Sequence, residues 1–372
     1  TAVIERVRTA FPDMPEALST AGTIAIYRGQ GTLGERQLRE VLAKRPNYVP
    51  ALHVLADYLP GTGKRAEAIQ MIDRAIAVDP LSAVLYGKRA AIKEDQGRYE
   101  ASKADYLKAL EIDPGFASAK AGIGTLNAYV FNRLDQSVKD IQDVIAMDPG
   151  NPMYRNMLVV TYQDIGLHAE SIETARRLYA KYGQEYSCIL SFAELFAGNA
   201  KASLRLSQQV PTYSCGIYWL IRNGRHEESI KLTRQEAPEL FDANATPTLY
   251  QTVSIYPILV SLNALGRESE AKAMAERMLL SLKPAVRMGL YGYGLTDVAL
   301  LAQMGNREQA LATLEKAVDE GWQGPYWQFL RDFDPALQPI RDDPRFRAAF
   351  GRLEASVAAQ RARLPAAPPA AP

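Results

Sequence analysis

The sequence predicts an all-α fold, built as an array of antiparallel helix pairs. At nine predicted turns along the 372 residues, a glycine, or once an asparagine, is followed five residues later by a small residue. The first five of these pairs recur every 34 or 35 residues, a period typical of helical repeat arrays. The pairs are Gly29/Gly34, Gly63/Ala68, Gly97/Ser102, Asn132/Ser137, Gly166/Ser171, Gly198/Ser203, Gly224/Ser229, Gly266/Ala271 and Gly305/Ala310.

Each unit of the array is expected to contain two helices joined by a turn at the glycine. In residues 51–59 the apolar side chains Leu52, Leu55 and Leu59 follow helical spacing and predict the first helix. Gly63 makes the turn, and the small residue five positions later allows the second helix to approach closely. The apolar residues of that second helix are Ala68, Ile72, Ala75 and Ile76.

Prolines close the early units. Pro46, Pro80, Pro114 and Pro149 are spaced by 34, 34 and 35 residues. A proline lacks the backbone N–H that would continue the preceding helix, but it suits the first turn of the next one. These prolines therefore mark the boundaries between successive units.

Together these features resemble the tetratricopeptide repeat family. Its pattern is a bulky residue, a large–small pair, a glycine turn, a small residue, a bulky residue, an alanine and a closing proline. The matching sets are Leu52, Leu55, Ala56, Gly63, Ala68, Ile72, Ala75 and Pro80; Tyr86, Ala90, Gly97, Ser102, Tyr106, Ala109 and Pro114; and Leu18, Ala21, Gly22, Gly29, Gly34, Leu38, Val41 and Pro46. The resemblance implies a right-handed superhelix of about nine helix pairs that starts near Met14.

The later units depart from this pattern. After Gly166 the steps between turn glycines are 32, 26, 42 and 39 residues. We therefore expect short helices and a kink or widened groove near residues 184–250. The predicted segments are a helix fragment at 1–12, regular repeats at 13–183, irregular units at 184–250, repeat-like units at 251–320, an aromatic and capping segment at 321–363, and a Pro/Ala-rich disordered or extended tail at 364–372.

The C-terminal part predicts a capping helix. Residues after Gly321 are rich in aromatic residues, Pro, Asp and Arg, and the segment resembles the ending of many bacterial repeat arrays. Phe346, Phe350 and Leu353 have helical spacing, which predicts a last helix from Pro344 to about Arg363. Such a helix covers the apolar face that the last repeat would otherwise expose.

The search for chemistry predicts no catalytic, cofactor-binding or metal site. The three histidines, His53, His168 and His226, lie in different predicted units. Residues 61–64 (GTGK) lack the remaining residues of a phosphate-binding loop, and the glycines of residues 289–294 lack the strand of a dinucleotide fingerprint. Both are interpreted as loops. The sequence therefore predicts that the protein is not an enzyme.

The two cysteines, Cys188 and Cys215, each follow Tyr-Ser and lie early in the first helices of successive units. Such helices stand side by side in a repeat array, so either a disulfide or two buried thiols fits the sequence. A disulfide would favour an oxidising compartment such as the bacterial periplasm over the cytoplasm.

The leading functional prediction is a scaffold that binds a protein or peptide on its concave face. The net charge of +1 gives no general attraction to nucleic acid, and no apolar run spans a bilayer. The alternative is a sensory or regulatory module of a larger bacterial protein of the winged-helix, cyclase or kinase type, which the start at Thr1 would fit. The resemblance implies these exposed concave positions: His53, Asp57, Glu94, Asp95, Asn156, Gln163, Asp164, Tyr256 and Asn263.

Overall fold

A computed structural model describes residues 14–208, 213–289 and 292–365. The predicted helix fragment at 1–12 and the tail from residue 366 onward lie outside these residues. All regular structure in the described ranges is helical. The α-helices are α1 Pro15–Tyr27, α2 Gly31–Lys44, α3 Val49–Tyr58, α4 Arg65–Val78, α5 Ala83–Asp95, α6 Tyr99–Ile112, α7 Ala117–Tyr129, α8 Leu134–Met147, α9 Pro152–Asp164, α10 His168–Tyr182, α11 Ser187–Phe196, α12 Ala200–Gln208, α13 Tyr213–Arg222, α14 His226–Glu236, α15 Leu249–Ile255, α16 Ile258–Ala264, α17 Glu268–Leu282, α18 Thr296–Gln303, α19 Arg307–Asp319, α20 Trp327–Asp332, α21 Gln338–Arg341 and α22 Pro344–Arg361.

The helices are arranged in the predicted pairs. From α1 to α14 each odd-numbered helix is followed by its partner, α15 and α16 together precede α17, and α18 precedes α19. The turns occur at the predicted residues, because a left-handed backbone there reverses the chain. Gly63 has φ of 81°, and Asn132, the one asparagine in the series, adopts φ of 52°. The all-α repeat array is therefore confirmed.

The chain forms two compact units, residues 14–122 and residues 123–365 of the described part. In the first unit the core consists of the apolar stripes that the sequence predicts. Leu52, Leu55, Ala68 and Ile72 are all fully buried between neighbouring helices. This burial is what holds each helix pair against the next one.

The irregular region has short helices, as the 26-residue step predicts. The four helices α11 to α14 have only 9 to 11 residues each. Short 3₁₀ turns at Gly183–Tyr186 and Pro238–Phe241 flank them. Residues 209–212, which join α12 to α13, lie outside the described ranges.

The C-terminal helix α22 covers the last repeat, as predicted, and also contacts the beginning of the second unit. Arg345 pairs with Glu315 of α19, and Phe346 and Phe350 are buried. At its other end, the buried Gln360 accepts a hydrogen bond from the Leu134 N–H of α8 at 2.6 Å. The second unit is therefore closed by its own last helix, because α22 packs on both α19 and α8.

The close approach of α1 and α2 generates a stability prediction. A Cβ added at Gly34 would lie 2.5 Å from the Gly22 carbonyl oxygen and 2.6 Å from Ile26 Cγ1. We expect Gly34→Ala to lower the free energy of unfolding by about 1–3 kcal/mol, as overpacked contacts do. Gly351 lies within α22, and a Cβ added there would meet open space, so Gly351→Ala should instead raise stability by about 0.5–1 kcal/mol. Urea denaturation of both variants tests this, and equal effects of the two substitutions would contradict it.

Candidate functional site

The first unit presents a polar row on its first helices, which we call the N-terminal face (α1, α3 and α5). Within α3, His53 Nε2 lies 3.7 Å from Asp57 Oδ2, and both side chains are about one-third exposed, at 29% and 34%. Asp57 Oδ2 also accepts a 2.9 Å bond from Lys88 Nζ of α5. The ion pair thus connects the first helices of two consecutive pairs. Burial lowers the pKa of His53, Lys88 lowers it further, and Asp57 opposes both.

The row continues along α5. Val84, Lys88, Ala91 and Asp95 are spaced by four, three and four residues and therefore share one side of that helix. The Val84 side chain is exposed, whereas Lys88, Ala91 and Asp95 are half-buried. Partial burial raises the pKa of Asp95. The N-terminal face therefore combines charged groups with accessible apolar surface.

The equivalent surface of the second unit, the C-terminal face (α9, α11, α13, α15 and α18), is covered by residues 326–337, which we call the aromatic segment. The Phe329 ring packs edge-on against Phe192 of α11 and Tyr218 of α13, with distances between ring centroids of 5.3 and 5.0 Å. Phe333 contacts Phe196 at 6.1 Å. The segment therefore packs against the first helices of this face through its aromatic rings.

Asp164, the last residue of α9, anchors the start of the aromatic segment. Its Oδ1 accepts a 2.7 Å bond from the Tyr326 N–H, and its backbone oxygen accepts a 2.8 Å bond from Trp327 Nε1. Tyr129 donates to the other carboxylate oxygen at 3.2 Å. Complete burial raises the pKa of Asp164 well above its usual value, although the hydrogen bonds to its carboxylate oppose the shift.

Asp334 anchors the other end of the segment. Tyr256, between α15 and α16, donates its hydroxyl hydrogen to Asp334 Oδ2, and Tyr218 donates to Tyr256 at 3.0 Å. The Ala336 N–H donates to Asp334 Oδ1 at 2.8 Å. Burial raises the pKa of Asp334 to about 6, against the hydrogen bonds from Tyr256 and Ala336, which lower it.

The predicted concave residues divide into two groups. His53, Asp57, Asp95, Asn156 and Asn263 keep partial exposure. The expectation of exposure is wrong for the others, because Glu94 is buried within the first unit and the closure of the second unit buries the remaining three. The buried residues are Glu94, Gln163, Asp164 and Tyr256.

Two features of these faces are absent from the sequence-based expectations. Lys88 is not in the predicted set. Helical spacing could have identified it, because Lys88 and Asp95 are seven residues apart and lie on the same side of α5. The sequence predicts the aromatic segment only as part of a cap. Its density of Tyr, Trp and Phe is visible in the sequence, but its contacts with Asp164 join residues more than 160 positions apart.

Cys188 is disulfide-bonded in the structure and lies at the start of α11. The side chain of Cys215, the only other cysteine in the sequence, lies outside the described set. The pairing of the two therefore stays a prediction.

The described residues of the two glycine-containing motifs lie in connections between helices, as interpreted. Gly63 follows a 3₁₀ turn, Leu59–Thr62, that joins α3 to α4. Gly289 and Gly294 have positive φ in the connection between α17 and α18. Within the described ranges, no cluster of three or more His, Cys, Asp or Glu residues could hold a metal ion, and none of the helices there is long and apolar enough to cross a membrane.

Helix pairs with left-handed turns, repeated along the chain and ended by a capping helix, define a helical-hairpin repeat protein. Residues 83–116, which form the third pair with its closing turn, match the family model of the tetratricopeptide repeat. The chain therefore contains a tetratricopeptide repeat within its all-α repeat fold, and proteins with such repeats are generally protein-interaction scaffolds.

Parts of the chain are also similar to known proteins. The TPR repeat-containing protein YpiA of Bacillus subtilis is 25% identical over 203 residues, which are 54% of this chain and 47% of that protein. The uncharacterized protein y4yS of Sinorhizobium fredii is 32% identical over 80 residues, 22% of this chain and 44% of that one. The chain therefore spans less than half of either relative. The crystal structure of a tetratricopeptide repeat protein from Parabacteroides merdae has 15% identity and a TM-score of 0.46, covering 72% of this chain and 93% of that chain.

The buried Asp334 predicts a pH dependence of stability. Its pKa is about 6 in the folded protein and ordinarily 3.8. Between these two pH values the folded state therefore keeps a proton on Asp334 that the unfolded state has lost. The free energy of unfolding should therefore fall as pH rises from about 4 to about 6, by up to about 3 kcal/mol from this group. Asp334→Asn should remove that contribution, measured by urea denaturation across the pH range. Asp342→Asn, at an exposed neighbour, is the control, and a pH-independent difference between Asp334→Asn and the wild type would contradict the assignment.

The disulfide generates a second test by thiol counting. Protein made under oxidising conditions and then denatured should show no free thiol before reduction and two after it, because Cys188 is already bonded. If Cys215 is its partner, Cys188→Ser should reveal one free thiol without reduction. Two thiols in the unreduced wild type would refute the bridge.

Proposed function

We propose that this protein is a non-catalytic scaffold that binds an extended segment of a partner protein or peptide on the N-terminal face of its first unit. The observation that carries the proposal is the ion pair between Asp57 and Lys88, which links the first helices of consecutive pairs on a partly exposed surface. An extended peptide placed along this row would meet His53, Asp57 and Lys88 in turn, and then Asp95.

The energetics of the ion pair support such binding. An exposed pair of this kind contributes only about 0–1 kcal/mol, so its two groups can exchange partners at small cost. Asp57 can accept from a backbone N–H of a peptide, and Lys88 can donate to a backbone carbonyl. The exposed Val84 offers apolar contact for a peptide side chain beside them.

The second unit also supports the proposal, because its equivalent face already holds a segment of polypeptide chain. On its C-terminal face the residues Gln163, Asp164 and Tyr256 bind the chain's own aromatic segment. There, side-chain and backbone oxygens and aromatic rings hold a short segment of chain, and we expect contacts of the same kind on the N-terminal face. We include Asn156 and Asn263 among the proposed partner-binding positions only because both residues are partly exposed.

Selection of random displayed peptides against the full chain tests the proposal. Asp57→Lys should weaken a selected peptide by about tenfold or more, because a charge-assisted hydrogen bond is replaced by repulsion. Glu111→Lys makes the same charge reversal on α6, a second helix, and should change affinity by no more than about twofold. Fluorescence polarisation of the labelled peptide gives both values. The absence of any enriched peptide, or an equal loss in both variants, would contradict the proposal.

A further inference from the structure

A cleft lies between α11, α12 and α13 of the second unit, beside the aromatic segment. Its volume is about 220 Å³, and it is distinct from the N-terminal face. One side is apolar, and the other presents polar groups of α13. These two sides together restrict the chemistry of any ligand that the cleft accepts.

The apolar side is formed by aromatic rings in fixed positions. Phe192 and Tyr218 both pack edge-on against Phe329, at centroid distances of 5.3 and 5.0 Å. The hydroxyl of Tyr218 is bonded to Tyr256, so that residue presents its ring to the cleft. Because these rings hold one another, the wall is preorganised for a flat apolar group.

Trp219 lines the cleft, and its indole N–H is an unused donor. Its Nε1 is buried, and no acceptor for it occurs in the described part of the chain. A buried N–H without an acceptor is unfavourable, and a ligand oxygen in the cleft would restore the missing hydrogen bond. The serine hydroxyls of α11 and α12 that also line the cleft are already engaged, since Ser191 bonds both the Ser203 carbonyl and the Ser207 hydroxyl.

Arg222 supplies a positive charge without a countercharge. It lines the cleft, and its guanidinium carbon lies 5.4 Å from the centre of the Phe333 ring. Partial burial lowers its pKa, and no acidic residue pairs with it among the residues that the structure describes. Glu194 of α11 is already engaged, since it accepts from Arg176 and Asn199.

We propose that this cleft binds a small organic carboxylate with a flat apolar group. Trp219 and Arg222 are three residues apart on α13 and therefore project to the same side of the helix. The Arg222 guanidinium would pair with the carboxylate, and Trp219 Nε1 would donate to one of its oxygens. The apolar group would lie against Phe192 and Phe329, and the volume of about 220 Å³ suits a single-ring acid.

Titration with phenylacetate tests the inference on the full chain. The probe is the indole N–H resonance of Trp219 in ¹⁵N-tryptophan-labelled protein, assigned with Trp219→Phe. This signal should shift in a saturable manner with phenylacetate, and the neutral phenylacetamide should bind about tenfold more weakly or worse. A signal that stays in place up to the solubility limit, or equal binding of acid and amide, would overturn the proposal.

Variants separate the charge of Arg222 from a general disturbance of α13. Arg222→Gln should weaken phenylacetate about tenfold, while its denaturation midpoint should stay near that of the wild type because the residue keeps substantial exposure. Arg225→Gln is the matched control, since Arg225 stacks on Trp219 at 4.8 Å but does not line the cleft. It should change the affinity by no more than about twofold. Unchanged affinity in Arg222→Gln would overturn the assignment of this residue.

The carboxylate of a peptide chain end has the same chemistry as a small acid, and one further titration distinguishes the two. A tripeptide ending in phenylalanine with a free carboxylate should bind no more tightly than phenylacetate, because the cleft admits little beyond one ring and its acid. Binding of that peptide about tenfold tighter, lost on amidation, would overturn the small-molecule assignment.

Discussion

The capture of the aromatic segment by Asp164 is the interaction on which the second unit depends. A buried carboxylate is costly unless hydrogen bonds satisfy it. Here it receives bonds from the Tyr326 N–H and the Tyr129 hydroxyl, while the Asp164 backbone oxygen receives one from Trp327. Tyr326 adopts φ of 59°, a left-handed conformation that a non-glycine residue takes only when its surroundings stabilise it. The carboxylate therefore fixes the direction in which the segment enters the face.

The closure by α22 distinguishes the second unit from an ordinary repeat array. In a simple array each repeat contacts only its neighbours, so stability is close to a sum of local terms. In this unit, bonds from Leu134 to Gln360 and from Arg363 to Asp135 join residues more than 220 positions apart. Such contacts require both ends of the unit to be ordered together. We therefore expect slower, more cooperative folding than local repeats alone would give.

Local rules were enough to predict the helix pairs, their turns and the capping helix, but not the covered face. Helical spacing and turn chemistry are local, which is why the Asn132 turn and a last helix beginning at Pro344 were predictable. The exposure expected for Gln163 and Asp164 failed because it assumed an open surface. Their burial depends on a segment that is distant in sequence, and no periodicity encodes which distant segment will fill a face.

The aromatic segment also couples the closure to the proposed cleft. Phe329 packs against Phe192 and Tyr218, and the same ring forms part of the cleft wall. Tyr218 is in turn bonded through Tyr256 to Asp334, the anchor at the other end of the segment. A ligand in the cleft would therefore contact a wall that exists only when the segment is in place. It would stabilise the closed unit by mass action, and the stabilisation would grow with the logarithm of the ratio of ligand concentration to dissociation constant.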